Sequence, residues 1–154
     1  MAKMEIKLVD SPVLRQVAEP VTKVTKRTIK LLRDMEETMY AAEGIGLAAP
    51  QVGVSQRLIV VDIGEGPLHL INPEILSREG SQVDVEGCLS IPDVWGYVDR
   101  SERIVVSALD LHGKPTRIEA NGLLARALQH EIDHLDGVLF IDKMLEMPPT
   151  ESTE

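Results

Sequence analysis

The sequence predicts an α+β fold: a helix near the N-terminus, a run of strands, and a second helix near the C-terminus. Three observations carry this expectation. Ile29, Leu32, Met35, Met39 and Ala42 recur at spacings of three and four, which gives one apolar stripe. Short apolar runs bounded by turn residues fill the middle of the chain. Residues 122–136 are apolar on nearly every side, as in a helix that is mostly buried. Helices segregated from a block of strands define the class.

The first helix is predicted over Thr25 to Ala42, with Gly44 as its C-terminal cap. The stretch GIGLAAPQVG follows as a loop. RLIVVDI (57–63) predicts a strand, and PLHLINPEILSR (67–78) a strand broken at Pro73 and resumed. RIVVSALDLHGKPTRIEA (103–120) reads as a hairpin turning near His112 and Gly113. Asn121 can cap the second helix, which runs to about Asp136 with Gly137 just beyond its end.

A chain of 154 residues fits one domain. The expected division is one folded domain over 1–147 and a flexible acidic tail over 148–154. Apolar residues make up 44% and charged residues 27%, as in ordinary globular proteins. Aromatics are 3%, so the core must be built from Leu, Ile, Val, Ala and Met. A net charge of −9 argues against a general nucleic-acid surface, and no DNA partner is expected. Residues 1–33 nevertheless carry eight Lys/Arg against three Asp/Glu, either a solvated face or a contact with something anionic. One cysteine, a start without the apolar core of a signal peptide and no run long enough to span a membrane predict a cytoplasmic protein.

The chemistry centres on HEIDHLDGVLF. His130 and His134 lie four residues apart, roughly 5–6 Å at Cβ on a helix, and can share one ion. Glu131 lies about 100° around the helix from His130. It can face the same pocket as a proton acceptor without being a ligand. Two imidazoles need a third donor. One zinc-protease pattern places a histidine where this chain has Phe140, which cannot ligate. Asp136, Asp142 and Glu146 fall at or beyond the helix end, and His69 and His112 fall in a strand and a turn. Cys88 remains, in EGCLSIP. A thiolate with two imidazoles leaves one coordination position open, as catalytic zinc sites do. GIGLAA matches a loose dinucleotide fingerprint, but it follows a helix and precedes a proline, so a nucleotide role is rejected. Its glycines allow close backbone approach or form a turn, and the Gln51 amide can donate a hydrogen bond.

Taken together, GIGLAAPQ, EGCLS and QHEIDH resemble the three signature motifs of the peptide deformylases, and the resemblance spans about residues 4–144. It implies small mixed or antiparallel sheets packed around a central helix that carries HExxH. It implies removal of the formyl group from N-formylmethionyl nascent peptides, with transient ribosome contact. By the resemblance, Cys88, His130 and His134 are the metal ligands and Glu131 is the general base and acid. The Gln51 side chain and the Leu89 N–H hold the oxyanion. Gly46 binds substrate through its backbone, and Ile45, Leu123, Arg126 and Ala127 lie at the methionine pocket. The implied metal is one divalent Fe(2+), with Zn, Ni or Co as substitutes in purified protein; the donor set suits zinc equally.

Two positions depart from the family pattern. Trp95 stands where some members carry a basic residue, and Arg126 replaces a usually apolar one. Either the Arg126 stem lines the pocket and its head reaches water, or the pocket differs. Glu86 and Arg100 match a charged pair, predicted to meet and brace the cysteine segment. The motif alone leaves two rivals: a zinc endopeptidase and a metal-binding protein without catalysis.

Overall fold

The first helix, α1 (Lys26–Ala41), starts where Thr25 and Thr28 form a reciprocal capping box. The structure, a computed structural model, describes residues 4–146. The expected tail at 148–154 lies outside the described residues.

The end of α1 corrects the expectation for Gly44. Glu43, at φ 61°, takes the left-handed position, and the Gly44 N–H closes on the Met39 carbonyl at 2.9 Å. Gly44 is therefore one residue past the cap. It serves there by its size, because a Cβ on it would lie 2.7 Å from Leu89 Cδ1.

Seven strands follow: β1 (Gly46–Ala48), β2 (Leu58–Val61), β3 (Leu68–Glu79), β4 (Gln82–Cys88), β5 (Ile91–Arg100), β6 (Arg103–Leu109) and β7 (Pro115–Asn121). The main sheet has the order β1-β2-β3-β6-β7, and β4 and β5 form a separate hairpin. All five strand pairings are antiparallel. β3 is not broken at Pro73. The register with β6 slips between Ile71 and Glu74, and Asn72 adopts φ 55°. A bulge absorbs the residue that cannot donate to the ladder. The Asn72 side chain pairs with both the N–H and the carbonyl of Val21, so the irregularity also anchors the N-terminal segment.

The final helix, α2 (Gly122–Leu135), packs on one face of the main sheet and α1 on the other. Ile59, Val61, Leu70, Ile104 and Val106 meet Ala125, Leu128, Ile132 and Leu135 of α2. Leu58, Val60 and Ile71 meet Leu32, Met35 and Met39 of α1. β2 is covered on both sides, which explains its unbroken apolar run. Asn121 occupies the N-cap position of α2 without a side-chain cap bond. Gly137, at φ 75°, ends the helix as expected.

Sequence patterning missed β1, β4 and β5. In β4 the burial does not alternate: Val83, Asp84 and Val85 are all exposed, and Glu86 points into the molecule. The hairpin lies against a third apolar cluster of Leu14, Ile91, Val98, Leu139 and Phe140.

Candidate active site

Three elements bring the site together. α2 supplies His130, Glu131 and His134 from its buried face. The end of β4 supplies Cys88, and the turn after β1 supplies Gln51. One donor atom each of Cys88, His130 and His134 lies within 4.8 Å of the others. Cys88 Sγ stands 3.4 Å from His134 Nε2, and the two imidazole centroids are 5.1 Å apart. The elimination that pointed to Cys88 therefore corresponds to a real convergence in space. Phe140 stacks against His130 at 6.1 Å.

Glu86 is the hub behind this cluster. Arg100 Nε donates to its Oε2 at 2.8 Å, and Arg100 Nη2 to its Oε1 at 2.9 Å. The expected Glu86–Arg100 pair is thus a bidentate, buried contact. Arg126 Nη1 also donates to Glu86 Oε2, at 2.6 Å. His130 Nδ1 lies 2.9 Å from Glu86 Oε1, which turns the other ring nitrogen toward Cys88. Burial alone would raise the Glu86 pKa. Hydrogen bonds from Arg100 and His130 outweigh it and hold the carboxyl well below its ordinary range.

The charges fit a cation. Burial opposes a charge on His130, but hydrogen bonds to Cys88 and Glu86 and the nearby Glu131 raise its pKa to about 10. Glu86, Glu131 and the Cys88 sulfur thus surround His130 with acceptors. His134 is pushed well below its ordinary value by burial and by His130, so it is a neutral imidazole, the form that ligates. Two buried polar atoms here, His134 Nδ1 and Glu131 Oε1, have no hydrogen-bond partner. A thiol, two imidazoles and an orphaned carboxylate oxygen suit a metal centre with one open position.

Burial raises Glu131 to about 7, opposed by the His130 charge. Its carboxylate is seated by Gly46. A Cβ at Gly46 would fall 2.5 Å from Glu131 Oε2 and 2.9 Å from its Cδ. Gly46→Ala should therefore displace the carboxylate by around an ångström. The expected result is a roughly hundredfold loss of kcat with metal content unchanged. Wild-type turnover in that variant would show that Glu131 tolerates the shift.

The Gln51 side chain is locked. Its Oε1 accepts from the Ala48 N–H at 2.9 Å, and its Nε2 donates to Ser90 Oγ at 3.1 Å. The same nitrogen is 3.6 Å from Cys88 Sγ. Sequence reasoning missed Ser90, which is fully buried; its place beside Cys88 in the motif was the available signal.

A cavity of about 520 Å³ opens from this centre to the surface. Ile45, Gly46, Gln51, Cys88, Leu89, Leu123, Arg126, Ala127, His130 and Glu131 all line it, so every expected site residue but His134 faces one space. His134 reaches the centre through its Nε2. One expectation is corrected: the Arg126 head does not reach water. Its guanidinium is buried and also donates to the carbonyls of Val98 at 3.1 Å and Gln82 at 2.7 Å. The inward Glu86 and these strand carbonyls supply acceptors that sequence spacing does not reveal.

Comparison with known proteins agrees with this geometry. The polypeptide deformylase family profile matches residues 3–149. The peptide deformylase of Caldicellulosiruptor bescii is 54% identical over 100% of this chain and 93% of its own length. That of Halothermothrix orenii is 55% identical over 96% of this chain and 97% of its own. The crystal structure of the Thermotoga maritima peptide deformylase superposes with a TM-score of 0.92 at 46% identity, covering 94% of this chain and 99% of that one. The Synechococcus elongatus peptide deformylase in complex with actinonin gives 0.91 at 47% identity, covering 95% and 82%. Such full-length similarity favours neither an endopeptidase nor a metal store. The chain belongs to the polypeptide deformylase family.

Proposed function

We propose that this chain hydrolyses the N-terminal formyl group of N-formylmethionyl nascent peptides, with Cys88, His130 and His134 as ligands of one divalent ion. The observation that carries the reading is the convergence of these three donors beside the buried Glu131 at the inner end of an open cavity. When bound, the ion acts as a Lewis acid that makes the attacking water acidic near neutral pH and polarises the formyl carbonyl. Fe(2+) is the proposed native metal, and a thiolate with two imidazoles also accepts Zn, Ni or Co.

Glu131 takes the proton from the attacking water and delivers it to the departing amine, releasing formate and a free N-terminus. The Gln51 amide and the Leu89 N–H hold the oxyanion that develops on the formyl oxygen as water attacks the carbon. The bond from the Ala48 N–H to Gln51 Oε1 supports this, because it fixes the amide beside Cys88, and preorganised donors stabilise developing charge best. β1 is an edge strand of the main sheet, so Gly46 can offer backbone hydrogen bonds to an extended peptide. Ile45, Leu123, Arg126 and Ala127 receive the methionine side chain, with the Arg126 stem as wall and its head tied to Glu86.

Among the described residues, no helix is long and apolar enough to cross a membrane. A cytoplasmic enzyme acting on emerging chains fits this reading. Its transient ribosome contact would fall on the exposed Lys23, Lys26, Arg27, Lys30 and Arg33.

Formyl-Met and acetyl-Met peptides, assayed with metal analysis of the same sample, test the proposal. Formate should appear, while the acetyl peptide should be cleaved far more slowly. A metal-loaded protein that releases no formate would overturn it.

A further inference from the structure

The main sheet ends on β7, and no other strand among the described residues pairs with its outer edge. Exposed edges are commonly blunted by a bulge, a proline or charges that repel a second strand. The ladder between β6 and β7 runs from Leu109–Pro115 to Arg103–Asn121 without a shift, so β7 has no bulge. Pro115 stands at the first residue and leaves the rest of the strand open.

The hydrogen bonds at the two ends of this ladder fix which backbone groups face outward. The Asp110 N–H donates to the Lys114 carbonyl at 2.8 Å, and the Gly122 N–H to the Glu102 carbonyl at 3.1 Å. Antiparallel residues alternate between bonded and non-bonded pairs. Thr116, Ile118 and Ala120 therefore bond inward to β6. Arg117, Glu119 and Asn121 turn their N–H and C=O groups to the open side. Ile118 and Ala120 pack toward α2, so the Arg117 and Glu119 side chains stand on the opposite face. Both are exposed, and neither forms an ion pair among the described residues.

We infer that β7 is an interaction edge for a second copy of this chain, joining two main sheets about a two-fold axis at Ile118. The edge is complementary to itself, because a cation and an anion stand one residue either side of Ile118. Antiparallel pairing about that residue sets Arg117 opposite Glu119 of the second copy, and Glu119 opposite its Arg117. These are the residues whose backbone groups face outward, so each pair exchanges both N–H···O bonds. The two Ile118 residues meet as a non-bonded pair, the closer kind, at about 4.5 Å between Cα atoms. Each is already half-buried against the core on the α2 side, and the contact extends that core across the axis. A register shifted by two residues would set Arg117 against Arg117 or Glu119 against Glu119. The charges thus select one register and one symmetric pairing.

Sedimentation of the full, metal-loaded chain from about 1 μM to about 1 mM spans the affinities of small interfaces. The wild type should pass from monomer to dimer within that range. Arg117→Glu and Glu119→Arg should each weaken the dimer at least about tenfold, because like charges then face each other at both pairs. Glu119→Arg also brings the net charge of −9 closer to zero, so relief of general repulsion would tighten association instead. Mixing the two single variants should restore the dimer, since one then presents two anions to the two cations of the other. The double exchange should restore it within one chain. Both side chains lie outside the cavity, so Tm and turnover per chain should match the wild type and report an intact fold. A wild type that stays monomeric to the top of the range would overturn the inference. So would a dimer indifferent to both single reversals, or single variants that fail to associate when mixed.

Discussion

Glu131→Gln keeps its metal and loses about 10²–10⁴-fold in kcat. The substitution conserves shape and removes only the ability to take and return a proton. Metal content should hold because the donor cluster consists of Cys88, His130 and His134 without Glu131. The contrast is Cys88→Ala, which removes one of the three donors and should lose metal and activity together. Metal analysis with turnover on a formyl-Met peptide separates the two. A Glu131→Gln protein within tenfold of wild type would remove Glu131 from the chemistry. A Cys88→Ala protein with full metal would mean that the thiol is not a ligand.

Glu86→Ala should be the most destabilising single change near the site. Glu86 is 6% exposed and accepts from Arg100, Arg126 and His130. Its removal leaves the Arg126 guanidinium buried with only carbonyl partners. Arg100 keeps Asp133 as its remaining carboxylate partner. Breaking a buried ion pair on one side costs about 3–5 kcal/mol. For a chain of this size that corresponds to a fall in Tm of roughly 6–20 °C. His130 also loses the partner that orients its ring, which should weaken metal affinity about 10–100-fold. Calorimetry and metal titration measure the two effects separately. An unchanged Tm and unchanged metal content would show that the hub is not a brace.

The relation between Glu86 and its neighbours also shows where sequence patterning stops. The helices, β2 and the 103–120 hairpin are marked by local signals: a spacing of three and four, a glycine stop, an apolar run and a turn. β4 carries no such signal. Its valines face solvent and its glutamate faces inward, because Glu86 accepts from the buried Arg100 and Arg126. β1 was hidden for a different reason: it is three residues long and fully buried, inside a stretch rich in glycine and alanine.

By itself the sequence determined the class of the fold, the two histidines and glutamate on one helix, and the cysteine as the remaining soft donor. These follow from short-range geometry and from the small set of side chains able to ligate. Only the tertiary structure decided the rest. It carried Cys88 across 46 residues of chain to His134. It drew the Arg126 head inward to Glu86 and seated Trp95 on Gly87. The physical reason is the same in each case. Charge pairing, burial and close backbone approach depend on which segments the fold brings together, and no spacing along the chain encodes that distance.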